Sequence, residues 1–380
     1  MTLSDYRALF ELAPGTAYLD HAATGTLSRT ALDAAADYLD GRAGRVPGRS
    51  PNNYPADLER LDRARRRAAA LVGASPEAVC VVPNTSYGLN LVVQGLDWQP
   101  GDRVVVPGCE FPANRLPWRG LAHLGVAVDE VAHREGTFTV ADVEAALRPR
   151  TRVVAVSAVQ FLSGFRADLA ALGALCRDRG VLFVVDAIQG AGVLRYDLAA
   201  LRPDLFTFGA HKWLGAMQGA GVAVLSGALR ARLRPVRGWL NGPVDWDDFE
   251  ASTLDLHPDA TRFHVGTMPT AAVYALDAAL GAQLEVGPEA IEAAARGHAA
   301  RLADGLAGLG LERYGPREAA SAIVTVRASD PEGLHAHLAA RGVVASLRSR
   351  LVRFAPHAQT PPHAIDQALH AVAEFHEVAA

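Results

Sequence analysis

Between residues 78 and 225 the chain alternates short apolar runs with amphipathic stretches, and this alternation restricts the fold more than any other feature. The runs are "AVCVV" (78–82), "RVVV" (103–106), "VAVDEV" (126–131), "RVVAVS" (152–157), "VLFVVD" (181–186), "LFTF" (205–208) and "GVAVL" (221–225). Beside and between them, "LDRARRRAAALVG" (61–73), "ADVEAALRP" (141–149) and "ADLAALGALCRDRG" (167–180) have helical spacing. A strand that is apolar at every position must be covered on both faces, and strands separated by helices are joined by crossovers. The expectation is an α/β fold: a large domain with a mostly parallel sheet between helices.

The pattern changes near residue 270. Two long alanine-rich helices are expected over 270–287 and 288–310. They are followed by "SAIVTVR" (321–327), a helix near 332–341, and the strand candidates "VVASL" (343–347) and "LVRFA" (351–355). A last helix follows "TPP", with Thr360 as its N-cap and proline in the first turn. The expected division is a large domain over 15–280 and a smaller C-terminal α+β domain over 281–380, onto which residues 1–14 fold.

Composition excludes several classes of function. Half the residues are hydrophobic, 21% are charged and the net charge is −4, so there is no basic excess for nucleic acid. No uncharged apolar span is long enough for a membrane helix, and "MTLSDYRALFELAPG" lacks the pattern of a secretory signal. Cys80, Cys109 and Cys176 are far apart and form no CxxC pair, and the 13 histidines show no metal-binding spacing. A reduced, cytoplasmic protein without a metal is the expectation.

Within "TFGAHKWLGAMQG" (207–219), Lys212 is the only lysine of 380 residues; every other basic side chain of the Lys/Arg class is arginine. Arginine carries charge equally well but cannot be deprotonated. A site that keeps its lysine therefore points to the amine itself, which can lose a proton and form a Schiff base with a carbonyl. With an amino-acid substrate, that chemistry implies pyridoxal 5'-phosphate. This cofactor needs an acidic partner for its ring nitrogen, a cradle for its phosphate and a flat group against its ring.

The chain offers a candidate for each. Asp186 ends the apolar run "VLFVVD", where the carboxyl ends of parallel strands form a ligand crevice; an N-cap role there is equally open. Gln189, one turn on, could reach the ring hydroxyl oxygen. Thr85 and Ser86 open a helical pattern, and helix N-termini bind phosphate. His211 is a further phosphate donor. Phe111, in a loop after a strand, is either a stacking group or a core residue.

These pieces, in this order, resemble the class V aminotransferases, a fold-type-I pyridoxal phosphate family that includes cysteine desulfurases, kynureninases and isopenicillin N epimerase. The similarity runs from "YLDHAATG" (18–25) to "RFAPH" (353–357) and is most specific in "VVDAIQG…PDLFTFGAHKWLG". The resemblance implies that Lys212 binds the cofactor, Asp186 meets the pyridine nitrogen, Gln189 the ring oxygen, and Thr85, Ser86 and His211 the phosphate. Phe111 takes the stacking place. "HVGTMPT" (264–270) resembles a segment that reaches the partner subunit's phosphate, which implies a homodimer with Thr267 as a contact in trans. Arg353 matches the arginine that grips the substrate carboxylate, and His21 and Ala22 fall on the substrate side.

Three departures narrow the reading. Cysteine desulfurases carry a nucleophilic cysteine shortly before the arginine, and "GVVASLRSRLVRFAPH" has none. Gly209 stands where a serine is common, and Phe161 where desulfurases place an asparagine. A persulfide-forming enzyme is disfavoured. Transamination comes first, with a carbon–sulfur lyase or an epimerase as alternatives. The non-enzyme alternative is a protein that binds pyridoxal phosphate without catalysis. A dinucleotide site is not indicated, because "GAGVLRYD" (190–197) is only a partial, late match to the glycine-rich fingerprint.

Overall fold

The computed structural model describes residues 1–243, 247–248, 250, 253–316 and 320–379. Its strands are β1 (Ala17–Tyr18), β2 (Val79–Val82), β3 (Arg103–Pro107), β4 (Ala127–Val131), β5 (Thr151–Ser157), β6 (Leu182–Asp186), β7 (Leu205–Gly209) and β8 (Gly221–Leu225). The C-terminal part adds β9 (Glu312–Arg313), β10 (Val324–Arg327), β11 (Val343–Val344), β12 (Ser346–Arg348) and β13 (Leu351–Phe354). All seven apolar runs of the central region are strands, and they form one sheet in the order β2-β8-β7-β6-β5-β3-β4.

Alternate residues of each strand enter two different cores. Val79 and Val81 belong to one, Cys80 and Val82 to the other; Val185 and Phe183 face one, Leu182 and Val184 the other. A period of two with both faces covered is why these strands read as unbroken apolar runs. One core is closed by the helices Arg29–Arg42, Tyr54–Val72, Leu169–Asp178 and Thr270–Val286, the other by Thr85–Gly95.

The sheet is parallel except for β8, which runs antiparallel to both neighbours, β7 and β2. The cause is local. Residues 210–220 contain no helix, so no crossover returns the chain to the start of the sheet, and β8 must run back beside β7. Lys212 lies in this reversal. Because β2 and β7 are both antiparallel to β8, strands β2, β3, β5, β6 and β7 all finish at the same edge. That edge is where a ligand crevice forms in open α/β sheets.

The C-terminal part packs an antiparallel sheet, β12-β13-β10-β9, against the helices Pro288–Gly308, Pro331–Ala340 and Pro362–Ala379. Ala17 and Leu19 are buried in this core, and β1 pairs in parallel with β11. The N-terminal contribution thus reaches beyond residue 14. The Thr270–Val286 helix packs in the large core and ends at Gly287, whose φ of 95° breaks the helix before Pro288. Thr360 does not cap the last helix; its hydroxyl accepts the His357 N–H at 2.9 Å.

Candidate active site

The shared strand edge carries Asp186, one of the side chains singled out by sequence. Ser157, Asp186 and Thr207 lie in one row across β5, β6 and β7. Beyond β7 the chain turns, and the Lys212 carbonyl accepts the Gly215 N–H at 3.2 Å. The segment 18–25 is laid against this turn: the Gly25 N–H donates to the His211 carbonyl at 2.8 Å. A Cβ at Gly25 would stand 1.8 Å from the Lys212 carbonyl oxygen, so only glycine permits the approach.

Burial lowers the Lys212 amine from its ordinary value to about 8; Asp186 opposes the shift and Arg353 reinforces it. Asp186 is 2% exposed, and burial pushes its carboxyl up to about 6. The Ile188 N–H, 3.0 Å from Oδ1, and the charge of Lys212 partly restore its ionised form. Asp186 therefore caps a turn and meets the lysine electrostatically.

Gln189 is fixed by two neighbours. Its Oε1 accepts the Trp213 indole N–H at 3.0 Å, and its Nε2 donates to the Ala22 carbonyl at 2.9 Å. One amide N–H remains for a ligand. Ala22 itself contributes that carbonyl and a buried methyl.

The expectation that His21 contacts substrate needs correction. Its Nδ1 meets the Ala355 carbonyl at 2.9 Å, its Nε2 meets Gln359 at 2.9 Å, and its ring stacks on Trp213. Burial lowers it to about 4, so it is a neutral ring with both nitrogens used. His21 is a packing residue that ties the segment 18–25 to the C-terminal part.

At the end of β2, Asn84 caps the Thr85–Gly95 helix through the Tyr87 N–H at 2.8 Å. Thr85 is buried, and its hydroxyl has no hydrogen-bond partner among the described residues. A buried, orphaned hydroxyl at a helix N-terminus calls for an anion, so the residues present fit a phosphate group. Ser86 is exposed beside it. His211 is half-buried, and burial and Lys212 lower its pKa. A Cβ on Gly209 would lie 3.0 Å from His211 Nδ1 and 3.0 Å from Ile188 Cδ1. The imidazole fills the space a serine would need.

Phe111 is 46% exposed and meets Phe161 edge to face, with ring centroids 5.2 Å apart. It is therefore not a core residue. Sequence reasoning missed its neighbour. Glu110, 2% exposed, accepts the Ser157 N–H at 2.6 Å, Gln160 Nε2 at 2.6 Å and Asn114 Nδ2 at 3.1 Å, and also bonds the Ser157 hydroxyl. Burial pushes this carboxyl up to about 7. Glu110 locks the loop bearing Phe111 to the end of β5 and so to Phe161. An acidic residue just past an apolar strand, as at Asp186, was the available signal.

Arg353, on β13, is 2% exposed. Its Nη1 donates to the Phe161 carbonyl at 2.8 Å, and its Nη2 lies 3.3 Å from Ser346 and 3.4 Å from Asp20 Oδ1. Its Nε is buried without a partner among the described residues. A buried guanidinium with a spare donor suits a carboxylate ligand. Thr267 is exposed and hydrogen-bonded to Tyr54. Among the described residues no cluster of histidine, cysteine and carboxylate side chains could hold a metal ion, and no helix is long and apolar enough to cross a membrane.

The sequence profile of the family described as Aminotransferase class-V matches residues 17–347. The chain belongs to this family. Fold type I and a pyridoxal phosphate cofactor go with class V membership. A probable cysteine desulfurase of Methanothermobacter thermautotrophicus is 30% identical over 183 residues, 48% of this chain and 46% of that protein. A second, from Pseudomonas aeruginosa, is 32% identical over 44% of this chain and 43% of its own length. The chain thus spans a little under half the length of these desulfurase relatives in the match. The uncharacterized aminotransferase YcbU of Bacillus subtilis is 27% identical over 95% of this chain and 96% of its own.

Among solved structures, an apo cysteine desulfurase from Thermococcus onnurineus NA1 superposes with a TM-score of 0.88 at 24% identity, covering 100% of this chain and 99% of that one. A C-DES variant with glycine covalently linked to its PLP cofactor superposes with a TM-score of 0.90 at 22% identity, over 97% and 99% of the two chains. These likenesses establish the fold.

The hairpin 343–354 contains no cysteine. Cys109, the cysteine next to the Glu110–Phe111 loop, is pushed up to about 12 by burial and by the Glu110 charge, so it is held as an inert thiol. The family match ends before Arg353.

Proposed function

We propose that this protein acts on an amino acid through Lys212 with pyridoxal phosphate as cofactor, and that its reaction is transamination. The observation that carries the reading is the one lysine of the chain, its amine lowered to about 8 at a strand-end crevice beside the buried carboxylate of Asp186. When bound, the cofactor supplies an electron-accepting ring that makes the substrate's α-proton acidic.

The residues divide the remaining work. Asp186 would face the ring nitrogen and Gln189 would give its free N–H to the ring oxygen. Thr85, Ser86 and His211 would hold the phosphate, and Phe111 would lie against the ring. Arg353 would bind the substrate carboxylate with its spare donor. Lys212 Nζ would then take the α-proton and return one at a different atom. At pH 8 about half of such amines are uncharged, whereas an ordinary lysine leaves well under about 1% neutral.

The same reading makes the protein a homodimer in which the exposed Thr267 reaches the partner's phosphate. It divides the chain into a cofactor domain over 15–280 and a small domain over 281–380 with 1–14, the strand at Ala17–Tyr18 also belonging to the small side. Three free cysteines support a reducing, cytoplasmic setting. A carbon–sulfur lyase is the second reading, favoured by the desulfurase names of the relatives and opposed by the missing cysteine in the hairpin. Incubation with a panel of amino acids and S-substituted cysteines separates the two. Oxo-acid formation that needs an acceptor supports transamination; pyruvate, ammonia and thiol without one overturn it in favour of elimination. A cofactor-loaded protein inert to the whole panel supports a non-catalytic binder.

A further inference from the structure

Arg348 closes β12 next to a tight turn in which Ser349 and Arg350 have φ of 50° and 60°. The register pairs Ser346 with Arg353, Leu347 with Val352 and Arg348 with Leu351. Directly opposed residues share a face, and side chains alternate along a strand. Arg348 therefore leaves the hairpin on the face that carries Ser346 and Arg353. That face is turned to the site, because the Ser346 hydroxyl donates to Asp20 Oδ1 at 2.6 Å and lies 3.3 Å from Arg353 Nη2. Two residues of strand place Arg348 about 7 Å farther out along it.

Arg348 is also close enough for its charge to help lower both the Lys212 amine and the Arg353 guanidinium, after burial and nearer groups. It is exposed and makes no ion pair or hydrogen bond among the described residues. Its neighbour Arg350, pointing elsewhere, pairs with Glu332 at 2.9 Å. An exposed cation whose charge already disfavours the charged forms of a buried arginine and a lysine raises the energy of that region. A second anion relieves that cost.

We propose that Arg348 is a specificity-determining residue that receives a second anionic group on the substrate, so that the enzyme acts on amino acids with an acidic side chain of aspartate or glutamate length. The inference rests on the reading of Arg353 as the α-carboxylate clamp. Arg353 takes one carboxylate at the buried end of the hairpin face, and Arg348 takes the other at its rim. The two or three carbons between the anions, with the reach of the long arginine side chain, cover the separation. A neutral amide of equal size leaves Arg348 unpaired and is discriminated against.

The test measures equilibrium binding of succinate and glutarate, which carry no amine and need no chemistry, against butyrate by calorimetry. It then compares kcat/KM for aspartate with asparagine and for glutamate with glutamine. The wild-type protein should favour the dicarboxylate and the acidic amino acids by about tenfold. R348Q should collapse that ratio, and R348E should favour the amides. Equal binding of di- and monocarboxylates by the wild type, or a ratio unchanged in R348Q, overturns the inference while leaving a cofactor-loaded enzyme standing. A protein that takes up no pyridoxal phosphate but keeps the dicarboxylate preference overturns the functional reading and sustains the role of Arg348.

Discussion

The Asp186 carboxylate at the end of β6 and the Lys212 amine in the reversal after β7 each favour the charged form of the other against the cost of burial. Burial is the larger effect for both. The lysine loses affinity for its proton, and the aspartate gains it.

Attachment of cofactor to the apoprotein should follow the free amine. With Lys212 lowered to about 8, the association rate with pyridoxal phosphate should rise about tenfold per pH unit below that value and level off above it. Stopped-flow absorbance checks this. A rate still climbing steadily up to pH 10 would mean an unperturbed lysine.

The stability of the apoprotein should carry the opposite signature of Asp186. Its folded pKa of about 6 lies above the ordinary 3.8. The contribution is thus fully present below about pH 4 and is lost as pH rises through about 6. The loss is at most about 3 kcal/mol. D186N, which has nothing to ionise, should lack this loss, so its melting temperature should gain on the wild type between pH 4 and pH 7. Parallel melting curves for the two proteins would contradict the burial argument.

Thr85 supplies a hydroxyl that no group among the described residues satisfies. T85V should therefore leave apoprotein stability unchanged or slightly raised, while cofactor affinity falls about tenfold or more. Fluorescence titration and thermal melts read the two effects separately. Unchanged affinity would remove Thr85 from the phosphate cradle.

Glu110 positions Phe111 through Ser157, Gln160 and Asn114. In E110Q an amide N–H replaces an acceptor and faces other donors, which should cost about 1–3 kcal/mol of stability. Because the loop bearing Phe111 is released, the absorption maximum of bound cofactor should shift as well. A stability loss with an unaltered spectrum would reduce Glu110 to a structural role.

Much of this was legible in the chain. The seven central strands could be read because burial on both faces writes each as a continuous apolar run. Lys212 was conspicuous because arginine occupies every other position of its class. The antiparallel course of β8 could not be read from composition; it depends on the absence of a helix over 210–220. His21 was misread because its partners, Trp213, Ala355 and Gln359, are remote in sequence. Gln189 turned out to bracket Ala22 and Trp213, and Arg348 acquires meaning only from hairpin register. Such relationships arise from tertiary contact and leave no local pattern.

The central claim is that one amine does the work, and this chain permits an unusually clean test, since Lys212 is the one lysine among its 380 residues. Holoprotein should be yellow. Borohydride should bleach it, and peptide mass mapping should find one equivalent of the reduced cofactor on Lys212, with none after K212R substitution. A protein that stays colourless, or one whose label sits anywhere but on Lys212, would contradict the account.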